Sequence, residues 1–157
     1  MKHKEQTLQI QCVQWFRYEY PELSRLLTHP INEGHKNTGL LGSIHKAEGT
    51  VAGVADLLLF LPSGEGDGLL YGLGIEMKEG RGRQSQEQKN FEEMYIAAGF
   101  AYVVVRSKLE FMHLIFEWVN NCPVDVLARV KAAHLKIEKE ADQRAYEQFK
   151  NIIKPRK

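Results

Sequence analysis

Three charged residues stand where a folding chain does not ordinarily leave them. Asp56 interrupts the apolar run from Val54 to Leu61, and Glu76 and Lys78 stand two apart at the end of the next run, Leu69 to Met77. An ionised carboxylate among apolar neighbours is costly unless something pairs with it. Alternation along a strand puts residues i and i+2 on one face, so Glu76 and Lys78 project together while Ile75 and Met77 face the opposite, apolar side. If the two runs pair as a hairpin, Asp56 reaches that same face. Two acids and an ammonium group in one concave spot suit hydrolysis of a phosphodiester. The carboxylates suit one or two Mg²⁺ ions, hard cations that prefer oxygen, and the lysine suits orienting a water or stabilising developing negative charge. An isolated E-x-K is very common, however, and taken alone it reads more readily as a solvated pair on an edge strand, with Asp56 as a strand-end residue.

The elements that must position these residues are readable from periodicity and punctuation. Glu5 to Tyr20 carries Leu8, Cys12, Trp15 and Phe16 near a helical period, and Pro21 stops it. Asn32 to Thr50, rich in Gly, Asn, His and Lys, reads as a long loop. The runs Val54–Leu61 and Leu69–Met77, joined by Pro62-Ser-Gly-Glu-Gly-Asp-Gly68, read as a hairpin. Ser85-Gln-Glu-Gln88 has capping-box form and opens a helix carrying Phe91, Met94, Tyr95 and Ala98, with Gly99 as its stop. Phe100 to Val105 reads as a strand buried on both faces. Ser107 to Glu110 is a second capping box, opening a helix through Trp118, and Val124 to about Ile153 reads as a charged helix with Lys136, Lys139, Arg144 and Lys150 exposed. The β-helix-β unit from Leu69 to Val105 predicts a parallel pair by a right-handed crossover, and the hairpin before it makes the sheet mixed.

The totals agree with one domain over 1–157, with a core at about 5–106 and a helical extension at about 107–153. At 43% hydrophobic and 26% charged residues the composition is that of a globular protein, without a membrane-length apolar run or a signal-peptide core. Cys12 and Cys122 belong to no CxxC pair and read as reduced, packed thiols of a cytoplasmic protein. A net charge of +1 means that any nucleic-acid contact needs locally concentrated cations.

Gly53-Val-Ala-Asp56, Ile75-Glu-Met-Lys78 and Ser85-x-x-Gln88 together resemble the VRR-NUC branch of the PD-(D/E)XK nuclease superfamily, where a G-V-x-D strand precedes an I-E-x-K strand and an S-x-x-Q helix. The match covers about residues 5 to 106. Asn32-Glu-Gly34 resembles the asparagine-bearing segment that often precedes these motifs. The resemblance implies a restriction-endonuclease-like α-β-β-β-α-β core in the α/β class, with a mixed central sheet flanked by helices. It implies a metal held by Asp56, Glu76 and the Met77 carbonyl, with Glu5 or Gln9 of the first helix as a further candidate. It also implies Lys78 as the catalytic lysine and Gln88 beside it, positioning Lys78 or the substrate. Small nucleases of this type resemble phage-encoded or replication-associated proteins.

The expected activity is therefore Mg²⁺-dependent endonucleolytic hydrolysis of DNA, with Mn²⁺ able to substitute and branched or junction DNA among the substrates. A homodimer would bring two centres to the two strands. Arg81 and Arg83 in the Gly-rich loop after the catalytic strand suit backbone phosphates, as do Asn32 and Lys36 on the long loop. Two alternatives stand beside this reading: a non-cleaving module that recognises branched nucleic acid, and an RNA-directed nuclease. The presence of both acids and the lysine disfavours the first, and no reader of a 2′-hydroxyl is identifiable for the second.

Overall fold

The apolar residues at helical spacing build helix α1, Lys2–Glu19. Cys12 and Phe16 are fully buried, and Leu8, Val13 and Trp15 pack beside them. Proline is tolerated at a helical start but not in a helix interior. Pro21 accordingly opens a separate one-turn 3-10 helix, Pro21–Leu23, that redirects the chain. The structure, a computed structural model, describes residues 2–30 and 47–153. Most of the expected long loop, with Asn32, His35, Lys36 and His45, lies outside the described residues.

Among the described residues four strands make one mixed sheet in the order β1 (Leu27–Thr28), β2 (Leu57–Leu59), β3 (Leu73–Met77), β4 (Ala101–Val105). The hairpin pairing is as expected: β2 and β3 are antiparallel, with Leu57 opposite Ile75 and Leu59 opposite Leu73. β3 and β4 are parallel, with Glu76 beside Val104, and helix α2 (Gln86–Ala97) makes the crossover. Strand β1 pairs antiparallel with β2 and completes the α-β-β-β-α-β order. It has only two residues, too few for alternation to be visible in the sequence.

Two expected strands are shorter than their apolar runs. Beyond Leu59, the Leu61 carbonyl accepts the Trp118 indole N–H at 2.8 Å, and the Trp118 carbonyl in turn accepts the Ser63 hydroxyl at 3.1 Å. These contacts draw the chain off the sheet. Leu70 pairs back with Ser63, so β3 begins only at Leu73. Asp56 therefore precedes β2 instead of lying within it.

Every residue of β3 is buried, which makes it the central strand. Leu73, Ile75 and Met77 face a core shared with Cys12, Phe16, Phe111 and Ile115. Full burial of such side chains contributes roughly 1.5–3 kcal/mol each. Helix α3, Lys108–Asn120, supplies Phe111 and Ile115, and Trp15 of α1 meets Phe111 edge-on at 6.0 Å between ring centroids. Helix α2 covers the other face, where Gly74 has no side chain and the Tyr95 and Tyr102 rings fill the space.

Strand β4 is not buried on both faces as expected. It is an edge strand in which Tyr102 and Val105 are buried and the rest are half-exposed. Met94, expected on the packed stripe of α2, faces solvent. The first capping box forms in full at Ser85. The second forms by half: the Ser107 hydroxyl accepts the Glu110 N–H, but Glu110 reaches past Ser107 to the Arg106 N–H at 2.7 Å. Helix α4, Val124–Ile153, packs through Val126, Leu127 and Val130, and its charged second half is exposed as expected. Cys12 and Cys122 are buried free thiols, and burial pushes the Cys12 thiol up to about 11. Among the described residues no helix is long and apolar enough to cross a membrane.

Candidate active site

Each of the three motifs has a local reason to meet the others. Gly53 has φ 81°, and a Cβ there would come within 2.3 Å of the Glu87 carbonyl. Only glycine lets this loop close against the first turn of α2, and that contact delivers Asp56 to the end of β3. The Asp56 Oδ2 then accepts the Met77 N–H at 2.8 Å. The Lys78 N–H bonds to the Val105 carbonyl at 2.9 Å, so the parallel ladder fixes the backbone of Lys78 just past the strand.

Glu76 is 0% exposed and Lys78 is 8% exposed. Such burial overturns the picture of a solvated pair at a strand edge. The Lys78 ammonium donates to Glu76 Oε1 at 2.6 Å. The Gln88 side-chain amide donates to the same oxygen, and the Tyr102 hydroxyl donates to Oε2 at 3.1 Å. Burial and the nearby charge of Asp56 push the Glu76 carboxyl up to about 7, against the opposing pull of Lys78 and Tyr102. Asp56 is raised for the same first reason, burial, with the Met77 N–H and Lys78 pulling it down and Glu5 pushing it up. Burial also pushes the Tyr102 phenol well above its usual range, which keeps it a donor.

These groups open on a cleft of about 620 Å³ lined by Asp56, Glu76, Lys78 and Gln88, by Glu5 and Gln9 of α1, and by Arg83. The two candidates on α1 are not equivalent. The Glu5 Oε1 accepts the Glu79 N–H at 3.2 Å and is tied to the chain just past β3; Gln9 only lines the wall. Arg83 borders the cleft, whereas Arg81 is exposed and does not line it. Asn32 and Lys36 lie outside the described residues.

The donor set fits a hard cation. Among the described residues no three acidic, His or Cys side chains converge closely enough to hold an ion by themselves. Asp56 and Glu76 nevertheless bring two mutually repelling carboxylates to the cleft. An ion here would complete its shell with backbone carbonyl and water, the habit of Mg²⁺.

Sequence reasoning passed over four participants. Tyr102 has a detectable signal: it pairs with Gly74, one step of the pleat before Glu76, so parity puts its ring on the Glu76 face. His29 has its Nδ1 at 2.7 Å from the Asp56 carbonyl oxygen, and it follows a strand that periodicity does not reveal. Arg106 donates to the carbonyls of Gly80 and Gly82 at 2.7 and 3.0 Å and so pins the basic loop. Gln84 binds Glu92 at 2.7 Å and lines the cleft. Neither of the last two stands in a motif.

No protein-family model and no curated protein sequence matches the chain. Among solved structures the chain is similar to a VRR_NUC domain protein, with 21% sequence identity over 75% of this chain and 89% of that one, and a TM-score of 0.61. With the mixed four-stranded sheet and flanking helices, this likeness assigns the chain the VRR-NUC fold, of restriction-endonuclease-like architecture.

Proposed function

We propose that this chain is a Mg²⁺-dependent endonuclease that hydrolyses DNA phosphodiester bonds. Mn²⁺ substitutes for Mg²⁺, branched and junction DNA are among its substrates, and a symmetric dimer serves both strands. The observation that carries the reading is the meeting of Asp56, Glu76 and Lys78 at one cleft, with Lys78 and Gln88 both bonded to Glu76 Oε1. A buried acid held by three donors and facing a second acid has no structural purpose that an apolar residue would not serve better.

Asp56, Glu76 and the Met77 carbonyl would hold the ion, with Glu5 or Gln9 of α1 on the same cleft wall. When bound, Mg²⁺ supplies a Lewis acid that lowers the pKa of a coordinated water and offsets charge on the phosphoryl oxygens. The Lys78 ammonium has three donors, one of which goes to Glu76. The other two are left for the attacking water and a non-bridging phosphate oxygen. Water oxygen bonds to phosphorus as the water gives up a proton to solvent, the opposite P–O ester bond breaks, and the departing alkoxide takes a proton from solvent. Gln88 and Tyr102 keep the Glu76 carboxylate in one orientation while this happens, and Arg83 binds a neighbouring phosphate.

The test is a set of labelled linear, flapped and four-way DNAs incubated with Mg²⁺, Mn²⁺ or EDTA. Cleavage with either metal and none in EDTA is the expected result. Full cleavage in EDTA overturns the metal-dependent mechanism, and no cleavage of any DNA overturns the nuclease reading.

A further inference from the structure

Some exposed cations on this protein answer a carboxylate: Lys4 meets Glu79, Lys131 meets Glu22, and Arg129 meets Asp125. Arg17 and Arg25 do not. Neither has an ion-pair or hydrogen-bond partner among the described residues, yet both line one pocket of about 630 Å³. The pocket lies between the last turn of α1, the Pro21–Leu23 turn, β1 and α4. His134 and Glu138 of α4 complete its charged and titratable lining.

Two separate elements join this pocket to the acidic cleft. On α1, Gln6 borders the cleft and Arg17 borders the pocket. Eleven residues are three turns, so the two share one helix face about 16 Å apart. Along β1 and the residue after it, Leu27 lines the pocket and His29 lines the cleft, about 7 Å apart at strand rise. The two sites are thus separated by about two to five nucleotide steps of a DNA strand, at 3.4 Å per step. Arg83 lies at the cleft itself.

We infer that Arg17 and Arg25 form a second phosphate subsite, which grips the DNA backbone two to five nucleotides from the acids and leaves the chemistry to the cleft. The inference rests on the nuclease reading for its ligand and deepens it. Two guanidinium forks without acidic partners are free to take phosphate oxygens bidentately. A nearly neutral protein binds a polyanion only by local concentration of cations, and an acidic catalytic centre needs such anchors beyond its own edge. Glu138 tempers the pocket and gives the test its second arm.

The experiment measures binding of a 20-base-pair hairpin DNA in EDTA across a salt series, beside single-turnover cleavage in Mg²⁺ at saturating protein. For Arg17→Ala/Arg25→Ala the slope of log K against log salt should shrink by about 1.8, two contacts at about 0.9 each. Affinity should fall by about tenfold or more, while the saturated cleavage rate stays at the wild-type value. Arg17→Lys/Arg25→Lys should restore the slope, which separates charge from any folding defect. Glu138→Gln should tighten binding without changing the rate. An unchanged salt slope in the double alanine variant overturns the subsite, as does a lost slope that lysine fails to restore. A wild-type protein that binds with the full slope but never cuts sinks the nuclease reading alone and leaves the subsite standing.

Discussion

The two faces of β3 solve burial in opposite ways. On one side Leu73, Ile75 and Met77 are covered by α1 and α3 in a continuous apolar core. On the other, Gly74 and Glu76 are covered by α2, and the space is filled by tyrosine rings, one carboxylate and its three donors. Both faces bury the strand's own residues, although the second opens on the cleft. The first gains free energy from every contact, whereas the second loses solvation of a charge and recovers it through hydrogen bonds that need fixed geometry. The apolar face therefore carries stability, and the polar face holds a carboxylate that burial and Asp56 disfavour in its charged form.

The comparison breaks most sharply if paired changes on neighbouring residues fail to diverge. Ile75→Ala should cost about 2–5 kcal/mol of unfolding free energy, as a large-to-small change in a packed core does. Glu76→Gln keeps the volume, removes a charge that burial and Asp56 disfavour, and should leave the metal-free protein as stable or more stable. Urea unfolding of both variants in EDTA at pH 8 measures the difference. A Glu76→Gln loss as large as that of Ile75→Ala would mean the polar face is a structural core like the other.

Within the polar face, the proposed role of Lys78 separates catalysis from binding. Lys78→Met retains the buried aliphatic stem and removes the charge. Cleavage should drop by about 10²-fold or more, while DNA affinity in EDTA changes little. Asp56→Ala, by contrast, should lower metal affinity as well as rate. Calorimetric Mn²⁺ titration and single-turnover cleavage on the same proteins decide it. A wild-type rate in Lys78→Met would reduce Lys78 to a counter-ion for Glu76.

How much of this was legible in the sequence follows the same division. Periodicity exposed α1, the hairpin and the crossover, because each buries an apolar stripe. The acids and lysine were legible because charge inside apolar runs is anomalous, and Ser85-x-x-Gln88 because capping chemistry is local. Strand β1 was hidden by its two-residue length. Its pairing with β2 is a long-range hydrogen-bond choice that leaves no period. The run ends at Leu61 and Leu70 were misread because Trp118, more than forty residues later in the chain, captures the Leu61 carbonyl. Tyr102 stood in plain parity with Glu76, but a tyrosine in a β-strand is so common that only the missing side chain of Gly74 marks it.

A third consequence of the comparison is a pH dependence carried by one face only. The folded Glu76 carboxyl, at about 7, lies above the ordinary carboxylate value of 4.5. Between those two values the native state holds a proton that the unfolded chain has released. Stability of the metal-free protein should therefore be greatest below about pH 4.5 as far as this group is concerned, and fall as pH rises towards 7. Asp56, raised by the same burial, adds to the fall. Thermal unfolding in EDTA from pH 5 to 8 should show the decline, and Glu76→Gln should flatten it. Mg²⁺ should restore stability most at the alkaline end, where both acids are ionised. A Glu76→Gln protein with an unaltered pH profile would show that the burden lies elsewhere.

The smallest effect is the most specific, because it divides the two jobs of one side chain. Gln88 accepts the Ser85 N–H at 2.9 Å through its carbonyl, closing the cap of α2, and donates through its amide nitrogen to Glu76. A glutamate would close the same cap, and in the first turn of a helix it interacts well with the macrodipole. It would not donate to Glu76 once ionised, and its charge would face another acid. Gln88→Glu should therefore unfold at nearly the wild-type temperature at pH 5, yet push the fall of stability with pH to higher values and slow cleavage. Gln88→Ala loses the cap as well and should cost roughly 0.3–1.5 kcal/mol at every pH, the usual worth of one capping contact. Comparing the two variants across pH isolates the donor from the cap. If Gln88→Glu matches wild type in both pH profile and rate, the amide contact to Glu76 is incidental and the third motif serves only the helix.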